Sequence, residues 1–170
     1  MASLIEDLIN TLDLENEEYK ELLKLSNEKT SVIIKGDVKA LNDMIAMEQK
    51  HTDVLAALES KRIQVVKDIA TVLNRDVDTL TVKEIIRLLK GQDSVQKQLS
   101  QVHDRLKITL NDMVVINEIN SQLIEESLEL VNFNINYINS INQMPETANY
   151  NKNAYNSSMS FQNSHFDAKI

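Results

Sequence analysis

"LSQVHDRLKITLNDMVVINEINSQLIEESLELVNFNINYINSI", residues 99–141, decides the fold. Positions 99, 102, 106, 109, 113, 116, 120, 123, 127, 130, 134, 137 and 141 advance in steps of three and four without a slip. That is the period of one helix face packed in a bundle. Leu99, Val102, Leu106, Met113, Ile116, Leu123, Leu130, Tyr137 and Ile141 make the face apolar, with Thr109, Asn120, Ser127 and Asn134 interrupting it. A second apolar flank, Leu110, Val114, Ile124, Leu128, Val131, Ile135 and Ile138, widens the stripe toward the carboxyl end and calls for more than one packing neighbour there. The helix is expected to run from about Ser94 to Asn142.

Upstream, the residues that interrupt helices are rare and fall at seams. The 170-residue chain has two glycines and one proline: Gly36 in "IIKGDVKAL", Gly91 in "LLKGQDSV" and Pro145 in "NQMPET". A first helix is expected from Ser3, with Ser3 and Glu6 in capping-box spacing, to about Lys35. Its stripe is Ile5, Leu8, Leu12, Tyr19, Leu22 and Ile33, broken by Glu15, Ser26 and Lys29. Gly36 suits the left-handed conformation that ends a helix and Asp37 can cap the next, so "KGD" predicts a tight reversal. The second helix is expected from Val38 to about Asn74 with Leu41, Ile45, Leu55, Val66, Ile69 and Leu73 inward. Thr81 and Glu84 form another capping box, with Leu80 stapled on Ile85, at the head of a short helix to about Lys90. The fold class is therefore all-α: an up-and-down bundle of long antiparallel helices, three long and one short, over residues 1–144. A flexible Asn/Ser-rich tail follows over 145–170.

Composition narrows the function. No cysteine is present, so disulfides and thiolate metal sites are excluded. A net charge of −8 argues against nucleic acid and anionic membrane surfaces. The start "MASLIEDLIN" has no signal-peptide pattern and no run of apolar residues is long enough to insert in a membrane, so a cytoplasmic protein is expected. Glu48-x-x-His51 has the spacing of bundled di-iron ligands but lacks the second copy such a site needs. Phosphate-binding loops and activated nucleophiles are absent as well, so no enzyme, cofactor or metal is expected. Charged runs such as "ENEEYK" read as solvated helix faces.

Helix lengths locate a candidate binding surface. At 1.5 Å per residue the last helix would be roughly 75 Å long against roughly 50–57 Å for the first two. In an up, down, up arrangement the part after about Leu130 lacks cover, and an exposed apolar stripe is a groove for another helix or a homodimer seam. Asn117 and Asn120 have two readings, fixing helix register from a seam position or orienting a partner.

"LENEEYKELLKLSNEKTSVIIKGDVKALNDMIAMEQKHTDVLAALESKR", residues 14–62, with "TLNDMVVINEINSQLIEESLELV", residues 109–131, resembles the FlgN-type flagellar export chaperones. The likeness is carried by Tyr19, Leu22, Leu23 and Lys29, the "KGD" joint before Leu41, Glu48 and Arg62, and "NEINSQLI" with Asn117 and Asn120. It spans most of residues 3–142. The resemblance implies a non-enzymatic chaperone for hook-associated proteins, which join flagellar hook to filament. Their unpaired amphipathic ends would associate prematurely without a temporary partner stripe. It places client binding on the carboxyl-terminal part of the last helix, at Asn117, Asn120, Leu123, Ile124, Ser127, Leu128, Val131, Ile135 and Ile138. It also implies contact with the export-gate component of the secretion apparatus. Tyr150, Tyr155, Phe161 and Phe166, four of the seven aromatics, stand in the tail, which reads as short anchors for such a contact, as a regulatory segment that folds back over the last helix, or as a dispensable Asn-rich extension. The alternative from another class is a self-associating structural coiled coil.

Overall fold

The computed structural model describes residues 2–77 and 79–143. Four helices follow one another: α1 (Ala2–Lys35), α2 (Val38–Leu73), α3 (Val82–Leu88) and α4 (Asp93–Asn142). The chain divides into two compact units, Met1–Val131 and Asn132–Ile170. The tail expected from residue 145 lies outside the described residues.

The reversal between α1 and α2 forms as the "KGD" joint predicts. Gly36 is left-handed at φ 66°. Its N–H donates to the Ile33 carbonyl (3.0 Å) and the Asp37 N–H to the Val32 carbonyl (3.2 Å), the paired bonds of a Schellman ending. Asp37 then accepts from the Ala40 N–H (3.0 Å) and starts α2 with no spacer. Asn74 closes α2 in the same left-handed way (φ 51°), with the Arg75 N–H on the Ala70 carbonyl. The Thr81–Glu84 capping box is complete in both directions at 3.3 Å. The corresponding box at Ser3 and Glu6 does not form: α1 is already helical at Ala2, so Ser3 lies inside the first turn and not ahead of it.

Side-chain pairs fix the directions of the first unit. Ion pairs join Glu15 to Arg62 and Lys29 to Glu48, and a hydrogen bond joins Glu18 to His51, so α2 descends as α1 ascends. Between α1 and α4 the partners are Asp13 with Arg105, Asn16 with Thr109, Ser26 with Asn120 and Thr30 with Asn120. In these four contacts the partners are 90 to 94 positions apart, so α4 runs parallel to α1 in one fixed register. α3 folds beneath this frame, and Gln96 of α4 donates to the Ile86 carbonyl (2.8 Å).

The main core gathers at the amino-terminal end of α1. Ile5, Leu8 and Leu12 meet Val65 and Ile69 of α2, Leu80 and Ile85 around α3, and Leu99, Val102 and Leu106 of α4. Each such side chain contributes about 1.5–3 kcal/mol through removal from water. Toward the joint the buried apolar residues thin to Leu25, Ile33, Met44, Leu55 and Met113. Met44 and Val65 take inward positions, and the expected Ile45 is exposed. Ile45 follows Met44 by one residue, a turn of about 100° that carries it off the seam.

Polar residues occupy the seam positions that interrupt the stripes. Glu15, Asn16, Ser26, Thr109 and Asn120 are buried, so Glu15 and Asn16 of "ENEEYK" do not belong to a solvated face. The Thr109 hydroxyl donates to Asn16 Oδ1 (2.8 Å), and the Asn16 amide nitrogen has no hydrogen-bond partner. Asn120 donates to the Ser26 carbonyl (2.8 Å) and accepts from the Thr30 hydroxyl (2.7 Å). Burial lifts the Glu15 carboxyl above the ordinary 4.5, and the hydrogen bond and charge of Arg62 offset only part of that rise. Burial likewise pushes the Tyr19 phenol up.

Two predictions follow from the seam. Because an unpartnered buried donor costs about 1–3 kcal/mol, Asn16→Leu combined with Thr109→Val is expected to leave stability to urea unchanged or raise it by about 1 kcal/mol. A loss of more than about 1 kcal/mol would contradict this reading of the pair. For Glu15, the raised pKa means the folded chain holds the proton more readily than the unfolded chain. Its favourable contribution is complete below 4.5 and is lost as pH rises through the folded-state value. Urea midpoints of the native chain should therefore fall relative to those of Glu15→Gln as pH is raised from below 4.5 toward neutrality. A native chain that gains on the variant over that range would contradict it.

Candidate functional site

An apolar groove opens in the first unit beside the hairpin joint. Val32, Ile33, Gly36, Asp37, Val38 and Leu41 form its hairpin wall, and Ile124, Ser127, Leu128 and Val131 form the α4 wall. It encloses about 240 Å³. The Schellman ending and the Asp37 cap fix the joint backbone, which sets Val32 and Val38 on either side of Gly36 at the groove edge. On α4, Ile124, Leu128 and Val131 are spaced i, i+4, i+7 and so share one face. Leu128 is 58% exposed and Val131 52% exposed, high values for residues on a shared apolar face.

The residues expected to bind a partner separate into groups. Ile124, Ser127, Leu128 and Val131 come together against the joint. Leu123 is half-buried one residue earlier, and the Ser127 hydroxyl donates to its carbonyl (2.6 Å). Asn117 is exposed. Asn120 is 3% exposed with both amide atoms bonded to α1, so its side chain acts inside the bundle, on register. Ile135 and Ile138 fall in the second unit, where they are exposed together with Ile141. In that unit Phe133 stacks on Tyr137, with ring centroids 6.4 Å apart. Tyr150, Tyr155, Phe161 and Phe166 lie outside the described residues.

The hairpin wall escaped sequence reasoning as part of the site. Its signal is "SVIIKGDVKAL", residues 31–41, where Val32, Ile33, Ile34 and Val38 crowd a joint that needs only one inward stripe. Ile34 and Val38 are exposed.

A larger cleft, about 400 Å³, lies among Leu12, Glu15, Tyr19, Leu55, Arg62 and the start of α3. Three of its charged groups answer one another: Arg62 donates to Glu15 (2.9 Å) and to Glu59 (3.4 Å). The joint groove, by contrast, is lined mainly by apolar side chains. The Glu48 and His51 pair is divided between two partners, Lys29 for Glu48 and Glu18 for His51. Among the described residues no three His, Asp or Glu side chains are placed to hold a metal ion. None of the described helices is long and apolar enough to cross a membrane.

The chain is 26% identical over 133 residues to an uncharacterized protein, YvyG, of Bacillus subtilis (strain 168), covering 78% of this chain and 76% of that protein. No solved structure matches it significantly. The family model described as FlgN protein matches residues 1–158, which contain all four helices and the groove, and on that match the chain belongs to the FlgN family.

Proposed function

We propose that this protein is a cytoplasmic chaperone of flagellar type III export. It holds the terminal amphipathic segment of a hook-associated protein, prevents that segment from associating early, and delivers the client to the export gate. The family supports a flagellar chaperone in general. The observation that carries the finer reading is the apolar groove at the joint, with Leu128 and Val131 exposed on it.

The physical case is one of matched faces. An amphipathic client helix lays its own i, i+4, i+7 residues into a groove of apolar side chains, and both stripes leave water together. Ile124, Leu128 and Val131 supply the chaperone's side, with Leu123 and Ser127 beside them. Ile135 and Ile138 extend the apolar sequence on α4. Asn117 is an exposed polar contact on the approach, and Asn120 serves indirectly by holding α4 in place. The tail aromatics Tyr150, Tyr155, Phe161 and Phe166 are assigned to the export gate or to regulation of client release.

Calorimetric titration with the carboxyl-terminal segment of a hook-associated protein from the same organism tests this. One-to-one submicromolar binding is expected, worth more than about 8 kcal/mol. The double variant Leu128→Asp, Val131→Asp should lose at least about a hundredfold in affinity, roughly 3 kcal/mol. It should keep its thermal stability, since both positions are exposed. No binding by the folded native chain would contradict the chaperone reading and favour the self-associating coiled coil. Unchanged binding by the variant would remove the groove from the account.

A further inference from the structure

The exposed face of α4 reads the same in both directions. Asn117, Ile124, Leu128, Val131, Ile135 and Asn142 are separated by seven, four, three, four and seven positions. At about 100° per residue they share one side of the helix, which is continuous from Asp93 to Asn142. Reversing the order leaves the chemistry unchanged: asparagine outermost, then isoleucine, then leucine and valine at the middle. All six are exposed. Ser121 and Ile138, exposed on the same side, stand at mirrored positions with unlike chemistry.

Mirror spacing of this kind suits a second copy of the same helix. In a two-fold dimer, residue i of one chain meets j of the other and j meets i. Two α4 helices laid antiparallel, with the axis between Glu129 and Leu130, set Leu128 on Val131, Ile124 on Ile135 and Asn117 on Asn142, each pair occurring twice. The asparagine amides carry both donors and acceptors, so they can satisfy each other at the two ends of the seam. Charge does not oppose the contact. Asp112, Glu118, Glu125, Glu126 and Glu129 all lie about 90° or more from the centre of the face, and residues 130–142 hold no charged side chain.

A parallel pair would match each residue with itself and would need no mirror spacing. The joint also favours the antiparallel pair. Val32, Val38 and Leu41 line the groove beside Ile124, Leu128 and Val131. Antiparallel, Ile135 and Ile138 of each copy arrive against that wall of the other, so both halves of the face leave water. The seam and wall supply about a dozen residues a side, against the roughly 20–30 of a stable interface, so the association is reversible.

We infer that two copies of this chain associate antiparallel through the carboxyl-terminal half of α4, with Leu128 and Val131 beside the two-fold axis. Because Ile124, Leu128 and Val131 are also the residues assigned to the client, a second copy and a client exclude each other. That consequence rests on the client reading; the dimer itself does not.

Sedimentation equilibrium of the full-length chain tests the association. The average mass should rise from one chain toward two with a dissociation constant on the order of 10–100 µM, and Leu128→Asp, Val131→Asp should stay at one chain throughout. A native chain that stays monomeric up to about 1 mM would overturn the inference. The chain has no cysteine, so introduced thiols report the register alone. Ile124→Cys mixed with Ile135→Cys should cross-link on oxidation. Neither should cross-link by itself, since like positions stand roughly 17 Å apart along an antiparallel seam, beyond the reach of a disulfide. Cross-linking of Ile124→Cys with itself would mean a parallel pair and would overturn the inference. So would dimers that form only after residues 144–170 are deleted, which would make the tail the cover. Addition of the hook-associated segment separates the two claims. Dimers with the expected cross-link that ignore the segment keep this inference and remove the client site, whereas a segment that binds a chain monomeric at every concentration does the reverse.

Discussion

The register between α1 and α4 is the constraint on which the rest depends. Apolar seams with a seven-residue repeat tolerate slippage by a heptad, because leucine meets leucine again after two turns. Hydrogen-bonded polar residues do not. Moving α4 by one heptad would separate Thr109 from Asn16 and Asn120 from Ser26 and Thr30, stranding buried polar groups at about 1–3 kcal/mol each. With partners held 90 to 94 positions apart, Lys35, the last residue of α1, stands level with residues 125–129 of α4. Leu128 and Val131 therefore arrive where α1 ends, and their exposure follows from helix length and register together.

The joint completes the arrangement. A longer loop between α1 and α2 could fold over the end of the bundle and cover α4. The direct sequence of Schellman ending and Asp37 cap leaves no residues to do so. The same economy places Val32, Val38 and Leu41 as a wall facing Ile124 and Leu128. The polar seam also keeps the middle of the bundle from being its tightest part. Glu15 is held by Arg62 at a desolvation cost and Asn16 keeps an unpaired amide, while the apolar core is concentrated near Ile5, Leu8, Ile69, Ile85 and Leu99. Buried apolar surface is thus concentrated at one end and exposed apolar surface at the other.

Much of this was legible in the sequence because it is local. The 3-4 period of residues 99–141, the "KGD" reversal and the Thr81–Glu84 box each depend on neighbours within a few positions, and all three are found. Errors arose where a choice between adjacent residues, or a distant partner, decided the outcome. Ile45 and Met44 are equally apolar, and only packing against α1 chooses between them. Ser3 has the right spacing for a cap, but the helix begins before it. Asn120 stands at a seam position in the sequence, yet its role depends on Ser26 and Thr30, about ninety residues away. The hairpin wall was hidden for a related reason: periodicity marks a residue as inward without saying which helix ends opposite it.

Hydrogen exchange along α4, followed residue by residue in the free monomer and after addition of the hook-associated segment, tests the central claim most directly. Amides from Leu99 to Asn120 should exchange only with global unfolding in both states. Amides from Ile124 onward should exchange much faster in the free chain and become protected when the segment binds. Full protection of that carboxyl-terminal stretch in a partner-free monomer would mean that its apolar face is already covered, and the account of a register-exposed groove would be wrong.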